Sequence, residues 1–321
     1  MSAPDARPLV LLDTASLYFR SYYALPDSMT APDGTPVNAV RGFADTLARI
    51  LTDRRPGRMV ACLDADWRPA FRVNALPSYK AHRVAEDTTE NAEDVPDTLG
   101  PQVPIIMDVL AAAGLATAEA QGYEADDVIG TLTARESTDP VEVITGDRDL
   151  FQVVRYSPTP ATVLYLGKGW AKAELIGPAE LGRRYDLPEQ GAGPAYADMA
   201  ALRGDPSDGL PGVAGIGEKT AAKLIREFGS LAELLPAAAA GDPRVPTRAR
   251  TSLAAAADYL AVAPLVVRVA VDAAIVQDRD DHVPPGVADP DRLAELRARW
   301  GLSSSIDRLT AALDGYADGA R

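Results

Sequence analysis

The chain of 321 residues has a single cysteine, Cys62, and only two histidines, His82 and His282. One cysteine cannot form an intrachain disulfide, and the usual zinc patterns need more cysteine and histidine ligands than the chain offers. No segment approaches the roughly 20 consecutive apolar residues that a membrane-spanning helix needs. The first residues contain no apolar segment typical of a secretory signal. These absences exclude disulfide-stapled, zinc-finger and membrane-spanning classes, and they predict a cytoplasmic protein with no membrane partner.

Basic residues are also scarce relative to acidic ones. The chain has 32 Lys and Arg against 46 Asp and Glu, which gives a net charge of −14 at pH 7. Nucleic-acid-binding proteins are usually basic, so the composition by itself argues against that class. The argument fails where acids are concentrated at a metal site or on solvated faces. The local charge around a binding surface, and not the net charge, determines whether nucleic acid can bind there. Composition therefore leaves a nucleic-acid partner open.

What the chain does have is three carboxylates within four residues, Glu124, Asp126 and Asp127, directly before an apolar run. Acids in the first turn of a helix complement its macrodipole, which stabilises the helix by roughly 0.3–1 kcal/mol for each acid. One or two acids would serve that purpose, whereas three repel one another unless a cation lies between them. We therefore favour metal coordination over helix capping for this cluster.

Further acids follow predicted strands. Buried strands are predicted at 8–13, 59–64 and 141–145, and they alternate with predicted helices. This alternation indicates an α/β fold with a mostly parallel central sheet flanked by helices, in which ligands gather beyond the carboxyl ends of the strands. The acids that end or follow these strands are Asp13, Asp64, Asp147 and Asp149. We expect them to share one edge of the sheet with the Glu124 cluster.

Such a set of carboxylates predicts divalent metal ions. The acids could not all stay ionised in one pocket without cations, and oxygen-only ligands suit Mg²⁺ or Mn²⁺. Two ions about 3.5–4 Å apart can clamp a phosphate during hydrolysis. A single structural Ca²⁺ site is the alternative, although no loop resembles an EF-hand. Asp205 and Asp208 lie at a predicted helix–turn boundary, where an acid can serve the turn as well as a metal ion.

The second half of the chain is predominantly helical. The glycine-rich turn Gly215–Gly217 leads into an apolar-periodic helix predicted over 220–228. Such a turn offers backbone N–H groups that can hold a DNA phosphate without reading the bases. A single helix is predicted at 247–260, a strand at 265–271, and two amphipathic helices within 289–314.

One basic and aromatic cluster, Ser78–Arg83, is present. Placed on a helix, Lys80 and Arg83 would face the same way and could stabilise charge on a scissile phosphate, while Tyr79 stacks on a base. A solvated basic helix face explains the same residues equally well. The same two interpretations, phosphate binding and a solvated basic side chain, apply to Arg20.

Taken together, these segments resemble the 5′ nuclease family, which includes the 5′→3′ exonuclease domain of bacterial DNA polymerase I and the flap endonucleases. The resemblance runs from Leu9 to about Asp272, and no polymerase domain follows, as expected of a free-standing nuclease. Its signatures are LLDTASLYFRSYYALP, the pair Phe71-Arg72, SYKAHR, GYEADDVIGTL, ITGDRDLFQ and GDPSDGLPGVAGIGEKTA.

The resemblance implies a PIN-like core over 1–177 with a helical arch at about 78–102. It further implies a helix-3-turn-helix DNA-binding subdomain over 178–264, and a C-terminal strand and helices over 265–321 that pack back on the core. The implied metal acids are Asp13, Asp64, Glu124, Asp126, Asp127, Asp147, Asp149, Asp205 and Asp208. The implied DNA-contacting residues of the subdomain are Gly215, Ile216, Gly217, Lys219 and Thr220.

The resemblance also implies which residues bind the scissile phosphate and which hold a monovalent ion. Lys80 and Arg83 would act on the scissile phosphate with Tyr79 and Arg20 beside them, and backbone carbonyls around Val213 and Ile216 would hold K⁺. The chain departs from the family pattern in having Gly209 where relatives usually have Asn. Its arch is also acidic, through Glu86, Asp87, Glu90, Glu93 and Asp94.

The implied function is hydrolysis of DNA at 5′ ends, flaps, nicks or junctions during replication and repair. It would use two or three Mg²⁺ or Mn²⁺ ions in a monomeric enzyme, and RNA-containing flaps would be further substrates. Two alternatives stay open: a PIN-type ribonuclease, and a catalytically weak DNA-junction binder.

Overall fold

The apolar runs of the sequence form one central sheet in the computed structural model, which describes residues 7–85 and 93–317. Within these residues the sheet has seven strands in the spatial order β6-β5-β4-β1-β2-β3-β7. The strands are β1 (Leu9–Asp13), β2 (Arg58–Cys62), β3 (Ala116–Glu119), β4 (Val141–Thr145), β5 (Ala161–Tyr165), β6 (Glu174–Ile176) and β7 (Val276–Gln277). The five strands β1 to β5 pair in parallel, and the two edge strands are antiparallel. The predicted mostly parallel sheet is confirmed.

Helices connect the strands and make up most of the second half of the described chain. They are α1 (Thr14–Ala24), α2 (Asn38–Arg54), α3 (Ala70–Ala75), α4 (Gln102–Ala113), α5 (Ala125–Arg135), α6 (Pro178–Tyr185), α7 (Ala192–Arg203), α8 (Glu218–Phe228), α9 (Leu231–Ala239), α10 (Thr247–Ala255), α11 (Ala257–Val267), α12 (Pro290–Arg299) and α13 (Ser303–Ala317).

Both faces of the sheet are covered, as β1 illustrates. Leu9 and Leu11 point into a core shared with α5 and α7, and Val10 and Leu12 point into a core shared with α2, α4 and α13. Alternate residues of a strand face opposite sides, so a strand covered on both sides reads as a continuous apolar run. The two layers of helices leave the carboxyl edge of the parallel strands as the place where loops meet.

Two secondary-structure predictions in the second half were wrong. The predicted helix over 247–260 is interrupted at Ala256, where α10 and α11 are bent by 76°. The strand predicted at 265–271 is instead the end of α11, which continues to Val267 before the chain extends. A short apolar run rich in branched residues does not distinguish a buried helix end from a strand.

The extended chain after α11 lies against α5 at a glycine. A Cβ on Gly130 would come within 2.5 Å of Val269 Cγ2 and 2.6 Å of the Ala270 carbonyl oxygen. Only a residue without a side chain permits this approach. The contact brings the 268–270 segment next to the first turn of α5, where the acidic cluster begins.

Part of the predicted arch falls outside the described residues. This holds for Glu86, Asp87 and Glu90, while Glu93 and Asp94 are described. The described flanks contain a three-residue 3-10 turn at Ala81–Arg83 and a bridge between Val84 and Glu93.

The two C-terminal helices pack against the first half of the chain. The helices α12 and α13 contact α4 and α2 of the first half, while the exact subdomain boundaries stay predictions.

Across residues 7–85 and 93–317, no single helix is long and apolar enough to cross a membrane. The bent pair α10 and α11 passes that test together, by length and composition only.

Candidate active site

A cavity of about 450 Å³ opens at the carboxyl edge of the sheet. Eight of the nine predicted metal acids line it, and they come from segments that lie far apart in the chain. These acids are Asp13, Asp64, Glu124, Asp126, Asp147, Asp149, Asp205 and Asp208. Three cationic side chains, Lys80, Arg83 and Arg148, line the same cavity together with a further acid, Glu93. The ends of parallel strands have therefore brought the predicted carboxylates to one place.

Thr145 fixes the carboxylate at the end of β1. Its hydroxyl donates to Asp13 Oδ2 at 2.6 Å and accepts from the Asp147 N–H at 2.8 Å. Asp13 Oδ1 accepts from the Ser16 N–H at 3.2 Å and so caps α1. One hydroxyl at the end of β4 thus orients acids from two neighbouring strands.

The loop after β2 is tied to the start of α5 through Asp64. Its Oδ1 accepts from the Ala125 N–H at 2.8 Å, which is a free donor at the beginning of that helix. This contact leaves the second oxygen of Asp64 for other partners and places it beside Asp126 on the cavity wall.

Several of these acids are electrostatically uncompensated. Burial raises the pKa of Asp13 to about 7, and the charges of Asp147 and Asp64 add to this effect against the hydrogen bond from Thr145. Burial likewise raises the pKa of Asp126 and of Asp149 well above the usual range, with neighbouring aspartates contributing. A cluster in which each ionised acid opposes the next favours a bound cation.

Asp127 does not line the cavity with the other eight acids, and its role as a metal ligand stays a prediction. The side chain is 0% exposed and accepts from Arg72 Nη1 at 2.7 Å and from Nη2 at 2.8 Å. It also accepts from the backbone N–H groups of Ala270 and Glu124. With Glu124 it forms a reciprocal capping box at the start of α5, so the capping interpretation is correct for this residue.

Arg72 is the residue that sequence reasoning missed. It is 3% exposed, and besides Asp127 its guanidinium donates to Glu124 Oε2 at 2.6 Å and to the Val266 carbonyl at 3.0 Å. A buried cation of this kind is needed wherever buried acids do not face a metal. The pair Phe71-Arg72 was recognised only as part of a family signature, although adjacent buried acids were a signal for such a partner.

Tyr79 is also buried, which does not fit its predicted role as a stacking surface for a base. The ring is 4% exposed and packs against Leu210 and Val266, so a DNA base cannot reach it. Its hydroxyl donates to Glu124 Oε2 at 2.8 Å. Tyr79 therefore positions an acid of the cavity.

Lys80 and Arg83 both reach the cavity, but from the two ends of a three-residue 3-10 helix and not from one face of a longer helix. Lys80 has a φ of 48°, a left-handed conformation just before the 3-10 turn at Ala81–Arg83. Its ammonium group is ion-paired with Glu124, and Arg83 Nη2 donates to Asp208 Oδ1 at 2.8 Å. The alternative of a solvated basic face is thereby wrong, because each cation contacts a predicted metal acid.

The turn that carries Asp205 and Asp208 holds this basic segment in place. Asp205 caps a short 3-10 turn by accepting from the Ser207 N–H at 2.8 Å, and the Asp208 carbonyl accepts from the Lys80 N–H at 3.0 Å. Gly209 has a φ of +72°, and a Cβ there would lie 2.0 Å from the Ser78 carbonyl oxygen. The departure from the family's Asn therefore permits close docking of the segment that presents Lys80.

Two arginines complete the surroundings of the cavity. Arg20 does not line it and donates to the Gly167 carbonyl at 3.3 Å, so its role stays a prediction. Arg148, which sequence reasoning passed over, lies between Asp147 and Asp149 and lines the cavity. It is exposed, and its position between two acids in the sequence was the available signal.

The predicted DNA-contacting turn lies apart from the cavity. Gly215 has a φ of 79°, the Ile216 N–H donates to the Val213 carbonyl at 2.9 Å, and Gly217 is the N-cap of α8, which has no side-chain cap. Lys219 and Thr220 are exposed in the first turn of that helix. The arrangement presents backbone donors at a helix N-terminus, as phosphate binding requires. Binding of DNA here, and of K⁺ at the carbonyls of Val213 and Ile216, stay predictions.

The cavity fits divalent metal ions by its chemistry. Its donors are carboxylate oxygens, which Mg²⁺ and Mn²⁺ prefer, and burial together with the charges of Asp147 and Asp64 raises the pKa of Asp13, which a bound cation would offset. The oxygens are not gathered as tightly as around an ion. Within the described ranges, only Asp280, Asp281 and His282, elsewhere on the surface, place three ligand atoms within 4.8 Å of one another.

Comparison with known proteins supports the same reading. A family model described as "5′-3′ exonuclease, N-terminal resolvase-like domain" matches residues 8–186, and one described as "5′-3′ exonuclease, C-terminal SAM fold" matches residues 192–289. A 5′-3′ exonuclease of Mycobacterium tuberculosis is 57% identical over 314 residues, which cover 96% of this chain and 98% of that protein. A 5′-3′ exonuclease of Streptomyces coelicolor is 56% identical over 309 residues, covering 95% and 99%.

Among solved structures, the fold is similar to a bacteriophage T5 flap endonuclease in a pseudo-enzyme-product complex with DNA and metal ions. The TM-score is 0.62 at 17% identity, and the match covers 97% of this chain and all of the other. At this identity the likeness shows a shared fold.

Proposed function

The chain belongs to the 5′-3′ exonuclease family and is a structure-specific 5′ nuclease; from that premise we propose that it hydrolyses DNA phosphodiesters at a divalent metal centre in the acidic cavity. The observation that carries the proposal is the meeting of eight carboxylates from distant segments around one cavity. The substrates would be 5′ ends, flaps, nicks and junctions, and the products would carry a 5′-phosphate.

The residues that would hold two Mg²⁺ or Mn²⁺ ions are Asp13, Asp64, Glu124, Asp126, Asp147, Asp149, Asp205 and Asp208. Divalent ions bound at such a site polarise a phosphate and lower the pKa of an attacking water. The protein's own contribution is to hold the acids in position. Thr145 orients the Asp13 carboxylate, and the buried group of Arg72 and Tyr79 orients Glu124.

Lys80 and Arg83 would bind the scissile phosphate. Burial acts to lower the pKa of Lys80, but the charges of Glu124 and Asp208 outweigh it and raise that pKa above its usual value. The ammonium group is therefore held in its charged form. With Glu124 and Asp208 engaged in holding metal ions, Lys80 and Arg83 would be free to donate to a phosphate oxygen instead.

The duplex part of the substrate would lie on the N-terminal end of α8. Its uncapped first turn, with Lys219 and Thr220 exposed, offers N–H donors and one positive charge to a phosphate. No base-edge contact is required, so recognition would depend on the shape of the DNA. We further propose K⁺ at the neighbouring carbonyls, action as a monomer in the cytoplasm, and cleavage of RNA-containing flaps in replication and repair.

The test is incubation with 5′-labelled flap DNA and the matching flap RNA, each with Mn²⁺ and with EDTA. Cleavage of DNA that requires Mn²⁺ and leaves a 5′-phosphate is expected. Cleavage of the RNA flap alone would support a PIN-type ribonuclease instead. Binding of the flap without any cleavage would support a junction-binding protein.

A further inference from the structure

Glu93 is an acid of the cavity that does not belong to the predicted metal set. The other cavity acids end strands, begin α5 or sit on the turn at 205–208, whereas Glu93 comes from the segment that follows residues 86–92. Its carboxylate faces the same cavity as Lys80 and Arg83. An acid beside the cations that should receive a DNA phosphate needs a separate explanation.

The backbone holds Glu93 in this place. Glu93 forms a bridge with Val84, and the next residue, Asp94, donates its N–H to the Arg83 carbonyl at 2.7 Å. The two contacts couple the position of Glu93 to the short turn that presents Arg83. The side chain is partly buried, while that of Asp94 is exposed and does not line the cavity.

The charges around Glu93 show which groups it faces. Burial raises the pKa of Glu93, the positive charges of Lys80 and Arg83 act against this, and Asp64 and Glu124 add to it. The positive charges that act on Glu93 are thus those of the two side chains that are expected to bind the scissile phosphate. A phosphate arriving at these cations must meet a negative charge already opposite them.

We propose that Glu93 is a specificity-determining residue that competes with the substrate phosphate for Lys80 and Arg83. The proposal rests on the proposed function, because it presumes that DNA enters this cavity. A strand that makes no other contact is repelled by Glu93. A substrate that also contacts the N-terminal end of α8 gains enough affinity there to overcome the repulsion by Glu93. The acidic arch residue therefore weakens unspecific entry of single strands.

The test compares Glu93→Gln with Asp94→Asn, which removes the same charge from the adjacent, exposed position. Binding of a fluorescein-labelled single strand and of a labelled 5′-flap duplex is measured by anisotropy in EDTA, where turnover is stopped. Cleavage of the flap with Mn²⁺ gives KM and kcat. Thermal unfolding of both variants, expected to match the unaltered protein, checks that each folds.

We expect Glu93→Gln to tighten single-strand binding by about fivefold, an order-of-magnitude value for one partly screened charge, and to lower KM on the flap duplex by less than that. The expected change in kcat is less than about twofold. Asp94→Asn should change neither quantity by as much as about twofold, and the difference between variants should shrink as salt rises.

Two results would overturn the proposal. Equal effects of the two variants would show that Glu93 acts only through net charge. A loss of kcat in Glu93→Gln would show instead that the carboxylate is needed for the chemistry, for example as an additional metal ligand. Failure of the proposed function looks different, because the unaltered protein would then neither bind nor cleave the flap.

Discussion

The two ends of the same parallel sheet use carboxylates in opposite ways. At the carboxyl end, acids such as Asp13 and Asp126 face one another around a cavity, and burial raises the pKa of each. At the amino end, Arg58 Nη1 binds Glu136 at 2.6 Å, and Nη2 binds Asp281 at 2.9 Å. Burial acts to raise the pKa of Glu136, but backbone N–H groups and Arg58 outweigh it and lower that pKa to about 2.

The difference teaches that the neighbours of an acid, and not its burial, separate a structural acid from a functional one. Acids at the amino end have cationic and N–H partners and stabilise the fold. Cavity acids such as Asp13 and Asp126 have no ion-paired cation among the described residues and face other acids, which is the condition that favours a bound metal ion. The four tests below aim at this contrast, from the largest expected effect to the smallest.

The largest effect is expected for Asp126→Asn. Loss of this proposed metal ligand should lower kcat/KM on a 5′-flap duplex with Mn²⁺ by about a hundredfold or more. In EDTA the variant should be at least as stable as the unaltered protein, because an uncompensated charge is removed. Steady-state cleavage and urea unfolding measure the two quantities. A variant with full activity would remove Asp126 from the metal centre.

The adjacent substitution, Asp127→Asn, should show the reverse pattern. It breaks a buried ion pair with Arg72, and breaking such a pair typically costs about 3–5 kcal/mol of unfolding free energy. The number of Mn²⁺ ions bound by the folded variant, measured by calorimetry, should not change. Loss of one bound ion without loss of stability would show that Asp127 is a ligand after all.

At the amino end, Glu136→Gln should remove a pH-dependent part of the stability. The pKa of Glu136 is lowered from 4.5 to about 2, so its contribution is fully present above about pH 4.5 and is lost as pH falls towards 2. We expect the variant to be less stable by about 1 kcal/mol at pH 7, with the gap closing in acid. Activity of the folded variant should be unchanged, and a constant gap from pH 7 to pH 3 would contradict the account.

Asp13→Asn should give the opposite pH dependence in the metal-free protein. The pKa of Asp13 is raised from 3.8 to about 7, so the stability it contributes is present below about pH 3.8 and is lost as pH rises through 7. In EDTA the variant should therefore gain stability over the unaltered protein as pH increases across that window. Added Mn²⁺ should reverse the order, since only the unaltered protein keeps this ligand. Urea unfolding of both proteins at a series of pH values measures this difference in stability. A difference that does not change with pH would contradict the prediction.

Much of the fold was predictable because its strands are covered on both faces. The runs that form β1, β2 and β4 are predominantly apolar and almost entirely buried, and an acid marks the end of β1. The edge strands β6 and β7, of three and two residues, are too short to carry a pattern. The end of α11 was mistaken for a strand because its apolar run is equally compatible with both.

The acids that form the site were predictable, but not which of them face the cavity and which pair with a buried cation. Successive residues of a helix point about 100° apart. In the first turn of α5, Asp126 therefore faces the cavity while Asp127 turns inward to Arg72. Sequence alone does not show this rotation, nor the long-range contact that buries Tyr79 against Val266. Contacts between segments far apart in the chain decide both cases.

The most direct test of the central claim is anomalous diffraction from crystals grown with Mn²⁺. The account predicts manganese peaks within about 2.0–2.2 Å of carboxylate oxygens in the cavity, Asp126 included, and none at Asp127. A map with no peak in the cavity, or with manganese only at the surface cluster of Asp280, Asp281 and His282, would contradict it.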